Sequence, residues 1–152
     1  MLRFEATDPE QPPASELLAA MREELNDLYE TFSRLDNPAL HPEELRPPDG
    51  VYLVGYDDEV PIAGGGVRRL FDDVGEIKRM YVRPAARARG VAAALLAALE
   101  ESALSLGYTA LRLDTGPKQF HARQLYRSAG FVEVPPYNEN PFACYWAEKP
   151  LR

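Results

Sequence analysis

Glu76-Ile77-Lys78-Arg79-Met80-Tyr81-Val82-Arg83-Pro84 runs into Ala85-Ala86-Arg87-Ala88-Arg89-Gly90-Val91-Ala92 and then into an Ala/Leu run through Leu96. The first part reads as a strand, Pro84 opens a turn, and the Ala/Leu run starts a helix. Five bases lie here, Lys78, Arg79, Arg83, Arg87 and Arg89, and no acid occurs between Glu76 and Glu100. The local potential is therefore positive, and the ligand it calls for is an anion. Gly90 lacks a Cβ and so can take φ > 0 or admit a second backbone, while Ala92 keeps its position small. Free N–H groups at the start of the helix face such an anion, and the macrodipole adds to their pull. The same residues also read as a solvated basic loop ahead of an ordinary helix, and the turn alone does not choose between the two.

Downstream, a helix over 90–106 ends at Gly107, a natural C-terminal cap. Residues 108–115 then form a strand with Leu111 and Leu113 on one face, parallel to the 76–82 strand because a helix connects them. Gly116-Pro117 ends it, 120–129 is a short helix closed by Gly130, and 131–134 with 143–148 makes a last hairpin around a proline-bracketed loop. Plain alternation over 76–82 puts Glu76, Lys78, Met80 and Val82 on one face and Ile77, Arg79 and Tyr81 on the other, with polar groups on both. A simple buried strand is not written so.

Upstream, 2–6 alternates weakly as a first strand before Asp8-Pro9 and Pro12-Pro13 break the pattern. Ser15 suits an N-cap, and Leu17, Leu18, Met21, Leu25, Leu28 and Phe32 recur at helical spacing. Glu23, Glu24, Asp27 and Glu30 occupy the outer face of this helix. Residues 33–50, with Pro38, Pro42, Pro47 and Pro48, read as an irregular connection holding at most a short helical turn. A hairpin follows, 51–56 and 62–70 about Asp57-Asp58-Glu59. Gly64-Gly65-Gly66 in its second strand marks a bulge or a close approach that leaves room for a ligand, or else a merely thin strand.

A chain of 152 residues, 45% hydrophobic and 27% charged, is expected to fold as one domain. Its acidic, polar start and the lack of any long apolar run argue against a signal peptide or a membrane span, so a cytoplasmic protein is expected. The single Cys144 fits a reducing compartment. With only His41 and His121 beside it, the cysteine forms neither a metal-ligand cluster nor a recognisable nucleophile pair. The net charge of -7 argues against nucleic acid as a partner. Residues 1–60 hold 15 acids against 4 bases, and the remainder 9 against 13, so the two halves either handle ligands of opposite sign or the first is a solvated acidic surface. No Gly-Lys-Ser/Thr follows the basic turn, which removes a P-loop.

Arg87-x-x-Gly90-x-Ala92, between a strand and a helix, resembles the Gln/Arg-x-x-Gly-x-Gly/Ala signature of the GNAT superfamily of acyl-CoA-dependent N-acetyltransferases. Ala122-x-x-Leu125-Tyr126-x-x-x-Gly130-Phe131 is similar to the junction of that family's fourth helix and sixth strand. The resemblance implies an α/β (α+β) single domain over 1–152, with a mixed central sheet of about six to seven strands, about four flanking helices and splayed parallel central strands. It implies acetyl-CoA as co-substrate, bound by Met80, Tyr81, Val82, Arg87, Ala88, Arg89, Gly90, Val91, Ala92, Gln119 and Tyr126. Gln119 stands where many relatives carry Asn.

Acetyl transfer to an amine needs a free amine, a polarised thioester and a proton for the departing thiolate, and an alkyl amine has a pKa of ~10.4. The resemblance makes Glu76 the base; the bland reading pairs it with Lys78 or Arg79. It directs the backbone N–H of Met80 at the thioester carbonyl and that of Val82 at the pantetheine. Tyr126 becomes the acid for the thiolate, or else packs the helix on the sheet with Leu125 and Phe131. His121, Arg123 and Arg127 face phosphates or solvate their helix, and Asp114 ranks below Glu76 for orienting the amine. Tyr137, Asn138 and Tyr145 close over the acceptor or belong to a structural loop, and the aromatics of the last hairpin, Tyr137, Phe142, Tyr145 and Trp146, offer a homodimer interface. The expected activity is direct acetylation of a primary amine on a small molecule or peptide. The acidic N-terminal region favours a cationic acceptor such as a polyamine, an amino sugar or a lysine side chain; the alternative is a non-catalytic acyl-CoA sensor.

Overall fold

A computed structural model describes residues 1–28, 40–116 and 120–151. In chain order come β1 (Leu2–Ala6), α1 (Ala14–Leu28), β2 (Val51–Asp57), β3 (Val60–Phe71), β4 (Val74–Val82), α2 (Val91–Ser105), β5 (Ala110–Thr115), α3 (Phe120–Ser128), β6 (Val132–Glu133) and β7 (Tyr145–Pro150). Short 3-10 turns occupy Pro42–Leu45 and Pro84–Ala86. The described residues thus hold three α-helices rather than about four, and the described part of the proline-rich connection, 40–50, holds a 3-10 turn. α1 begins at Ala14, so Ser15 lies in its first turn and is not the cap; its expected end at Phe32 falls outside the described residues. None of the described helices is long and apolar enough to cross a membrane.

The seven strands make one sheet in the order β1-β2-β3-β4-β5-β7-β6. Every neighbouring pair is antiparallel except β4 and β5, which the α2 crossover makes parallel. On one face α2 lays down Val91, Leu95, Leu96, Leu99 and Ala103 against Ile77, Leu111, Leu113 and Phe131. On the other, Ala14, Leu17 and Met21 of α1 cover Tyr52, Val54 and Tyr81. A fully buried aliphatic side chain of this kind stabilises the fold by ~1.5–3 kcal/mol.

β7 is inserted between β5 and β6, and its aromatics turn inward. Tyr145 is buried, the Trp146 Nε1–H donates to Asn138 Oδ1 at 3.0 Å, and the Tyr137 hydroxyl is bonded inside the molecule. Of these three only Tyr145 is fully buried; Tyr137 and Trp146 remain half-buried.

β4 carries the feature that alternation missed. Gly66 pairs with Lys78 and Gly64 with Tyr81, so β4 spends one residue more than β3 across that interval. The extra residue is Arg79, at φ 61, in a left-handed conformation that costs an L-residue ~1–2 kcal/mol. The bulge exchanges the faces beyond it: Ile77, Met80 and Val82 all pack on the α2 side, whereas Tyr81 joins the α1 side. Glu76 and Met80 are consequently not on one face, contrary to the period-2 expectation.

The triple glycine opposite this bulge makes room for the protein's own side chains. A Cβ at Gly64 would lie 2.2 Å from the Tyr52 hydroxyl oxygen, and one at Gly66 2.7 Å from Leu45 Cδ2. Tyr52 reaches across the strand because no side chain stands there. Gly64→Ala is expected to lower stability by ~1–3 kcal/mol through overpacking; an unchanged urea midpoint would contradict this account of the close approach.

Candidate active site

The parallel ladder of β4 and β5 is short, running from Val74 opposite Ala110 to Glu76 opposite Arg112. Beyond it β4 follows β3 through the bulge, while β5 stays with β7 as far as Thr115 opposite Tyr145. The strands part just after Glu76. The gap leads into a cavity of about 570 Å³, within the size range of small-molecule sites. Met80, Tyr81 and Val82 form one wall, Ala122, Leu125 and Tyr126 of α3 another, and Arg87, Ala88, Gly90, Val91 and Ala92 the end at the N-terminus of α2. Nine of the eleven residues that the sequence singled out for the coenzyme thus surround one cavity. Of the other two, Arg89 reaches toward Asp57 at 3.9 Å, and Gln119 lies outside the described residues.

Gly90 has φ 78 and ψ 6, and a Cβ built there would meet nothing within 4 Å. Backbone conformation, not crowding, requires glycine, and the space beside it stays open in front of the first N–H groups of α2. Those donors and the helix dipole suit the diphosphate of a coenzyme, and the apolar walls suit its pantetheine arm. Arg87 is already engaged: its Nε–H donates to Val82 O at 2.8 Å, and its terminal nitrogen meets both Glu24 oxygens at 2.8 and 2.7 Å. An incoming diphosphate competes with a carboxylate for this side chain, and the backbone supplies the uncontested donors.

Tyr126 is buried in the cavity wall, edge-on to Phe131 at 5.9 Å between centroids, and its hydroxyl reaches Met80 Sδ at 3.7 Å. A thioether is a weak acceptor, so this hydroxyl has exchanged water for a poor partner. Burial first, and the Asp114 carboxylate second, push its pKa above the usual phenol value, so it remains a proton donor throughout the neutral range.

Glu76 is fully buried and its carboxylate is crowded with donors. Arg68 Nε–H and its second guanidinium nitrogen both meet Oε1 at 2.9 Å, the Tyr137 hydroxyl donates to Oε2 at 2.6 Å, and Lys78 Nζ stands 3.6 Å from Oε2. The pairing with Lys78 that the bland reading expected is present, the pairing with Arg79 is not, and Arg68 takes its place. Arg68 also holds Glu44 at 3.1 Å, which ties the 3-10 turn to β3. Tyr137, from the loop before β7, is the functional neighbour to which sequence reasoning gave only a covering role. Burial, then the Glu76 charge, keeps its hydroxyl protonated well above the usual phenol range.

The remaining candidates separate. Asp114 accepts from Asn138 Nδ2 at 2.7 Å and Asn140 Nδ2 at 3.3 Å and so anchors the loop that presents Tyr137. Arg123 lies 4.8 Å over the Tyr145 ring with Cys144 Sγ at 3.4 Å, packed on β7. The His121 side chain is outside the described residues. Among the described residues no group of three potential ligands gathers to hold a metal. Several acids of the first sixty residues are paired: Asp57 and Asp58 with the N-terminus, Asp8 and Glu10 with Arg46, Asp49 with Arg69, Glu24 with Arg87 and Glu44 with Arg68. Much of the charge imbalance read from the sequence is therefore engaged in ion pairs within the protein and does not by itself identify the acceptor.

Comparison with known proteins agrees with this geometry. The sequence profile of the Acetyltransferase (GNAT) family matches residues 18–131. An IAA acetyltransferase of Azospirillum brasilense is 33% identical over 147 residues, 94% of each chain. The chain belongs to the GNAT acetyltransferase family. A crystal structure of a putative acyl-CoA N-acyltransferase from Klebsiella pneumoniae superimposes with a TM-score of 0.77 at 29% identity, covering 100% of this chain and 99% of that one. A family acetyltransferase of Elizabethkingia anophelis, solved with acetyl-CoA bound, has the same fold, with a TM-score of 0.68 at 19% identity and coverage of 99% and 98%.

Proposed function

We propose that the protein transfers the acetyl group of acetyl-CoA directly to a primary amine, with the reaction centred where β4 and β5 part. The observation that carries this reading is the single cavity that brings the helix N-terminus at Gly90, the apolar arm of β4 and the Tyr126 hydroxyl together at the open edge beside Glu76. Gly90, Val91 and Ala92 receive the diphosphate through their N–H groups, Met80 and Val82 flank the pantetheine, and the Met80 N–H stabilises the charge that develops on the thioester oxygen, a contribution of ~3 kcal/mol for a preorganised donor.

The acceptor nitrogen forms a bond to the acetyl carbon as the carbon–sulfur bond breaks, giving an acetylated amine and coenzyme A. Tyr126 supplies the proton to the leaving thiolate, exchanging its weak thioether acceptor for an anion. Glu76 takes the proton lost by the amine. Because its Oε2 already accepts from Tyr137, that proton passes to the Tyr137 oxygen while the Tyr137 proton moves to Glu76, so Tyr137 stays neutral; Tyr126, left as the phenolate, is reprotonated by solvent as the products leave, and Glu76 returns its proton to solvent. A concerted relay suits hydroxyls whose pKa values are raised.

Tyr126→Phe tests the acid. Single-turnover acetylation is expected to slow about 10²-fold or more while acetyl-CoA affinity stays within about threefold of wild type, because the lost interaction is made only in the transition state. Equal rates for the two proteins would remove Tyr126 from the chemistry.

A further inference from the structure

On the α1 side of the bulge, the described residues carry more positive charge than their carboxylates neutralise. Lys78 and Arg68 are paired with Glu76, and Arg68 also with Glu44. Arg79 is half-buried, and among the described residues no carboxylate pairs with it. Its charged neighbours are Arg22 and Arg68, both of the same sign, and these, after burial, hold its pKa below the ordinary guanidinium value. A guanidinium in this setting keeps its charge, and no carboxylate among the described residues offsets its desolvation.

A second, independent feature stands across the ladder. Tyr52 is 1% exposed, and its hydroxyl, which lies against Gly64 at the bulge, has no hydrogen-bond partner. Buried hydroxyls are ordinarily satisfied. The two unsatisfied groups approach the same bulge from β2 and β4, one residue beyond the Lys78–Glu76–Tyr137 cluster where the acceptor nitrogen has to arrive. The bulge also brings Arg79 to this point in a left-handed conformation that ordinary pairing would have avoided, and backbone held in that way concentrates at ligand sites.

We propose that the acceptor amine carries a carboxylate, which Arg79 binds with the Tyr52 hydroxyl as a second donor, so that the preferred substrates are amino acids or comparable aminocarboxylates and not polycations. The inference rests on the transferase reading and adds the substrate class to it. The carboxylate supplies a counter-ion that no described residue provides and places the amine over the Tyr137–Glu76 pair. Arg22, at the exposed edge of α1, adds long-range attraction for the anion.

The test uses matched pairs, each an L-amino acid and its carboxamide, with spermidine and glucosamine beside them, and follows thiol release from acetyl-CoA. The full chain is assayed as wild type, as Arg79→Asn, because asparagine tolerates the left-handed conformation, and as Arg79→Lys, which keeps the charge. For the better pairs the wild type is expected to favour the acid over the amide in kcat/KM by roughly tenfold to a hundredfold, the range of a charge-assisted hydrogen bond. That ratio should fall toward one in Arg79→Asn and recover in part in Arg79→Lys. Amides or polyamines used as well as the acids, or a preference for acids that survives Arg79→Asn, would overturn the assignment, as would acetyl-CoA binding without turnover of any acid. Calorimetric titration with acetyl-CoA, run on each protein, keeps the two readings apart: a wild type that fails to bind it removes the transferase reading itself, and this inference with it.

Discussion

Glu76→Gln is expected to reduce turnover at neutral pH by about 10²-fold to 10⁴-fold, the span of general acid–base contributions, with acetyl-CoA affinity nearly unchanged. The side chain sits outside the lining of the coenzyme cavity, so the coenzyme has little to lose. The deficit should shrink as pH rises toward the acceptor's own pKa of ~10.4, since free amine then forms without help from the protein. Glutamine keeps the shape but removes the charge that Arg68 and Lys78 share. Stability therefore drops as well, by up to ~3–5 kcal/mol for a broken buried pair and less if Glu44 retains Arg68. Tyr137→Phe separates the two effects, since it leaves the Glu76–Arg68 contact in place and deletes only the relaying hydroxyl. Its turnover should fall at least tenfold with the thermal midpoint little altered. Turnover that is unchanged across pH in Glu76→Gln would remove Glu76 as the base, and a fully active Tyr137→Phe would remove the relay.

Gly90→Val is expected to weaken acetyl-CoA binding by tenfold to a hundredfold or more, for two reasons that add. A β-branched residue at φ 78 is strained by at least ~1–2 kcal/mol, so the turn relaxes and the N–H groups of α2 lose their alignment. The added side chain also enters the open space where the diphosphate would lie, and each charge-assisted hydrogen bond lost there is worth ~1.5–3 kcal/mol. Because nothing within 4 Å of that Cβ belongs to the protein, Gly90→Ala should fold well and show an intermediate affinity. A folded Gly90→Val protein that binds acetyl-CoA like wild type would count against the diphosphate site.

The sequence showed the strand, turn and helix around Gly90 because each rests on local chemistry: a proline stop, a glycine at φ > 0, and an apolar run of helix formers. The parallel relation of β4 and β5 followed from the helix between them. Their splay did not, since it depends on how far a ladder persists, and that is decided by a bulge at an arginine. Alternation assumes that every residue advances the strand equally, and Arg79 does not, so the faces of Met80, Tyr81 and Val82 were read in reverse. Tyr126 was legible through its motif. Tyr137 was not legible as a partner of Glu76, for the two stand 61 residues apart and meet only because Asp114, Asn138 and Asn140 fold the loop back over β5. The pairing of the acidic N-terminal residues was not legible for a related reason: a count of charges carries no record of which bases they meet.

The most direct test of the account is a calorimetric titration of the full chain with acetyl-CoA, run beside dephospho-coenzyme A and ATP. Acetyl-CoA is predicted to bind with one site and a dissociation constant on the order of micromolar, about −8 kcal/mol. Dephospho-coenzyme A should bind comparably, because it keeps the diphosphate and pantetheine that meet α2 and β4, and ATP should bind more weakly, because it has no arm to place between β4 and α3. Binding of ATP as tight as that of acetyl-CoA, or no heat from acetyl-CoA at all, would contradict the assignment of this cavity.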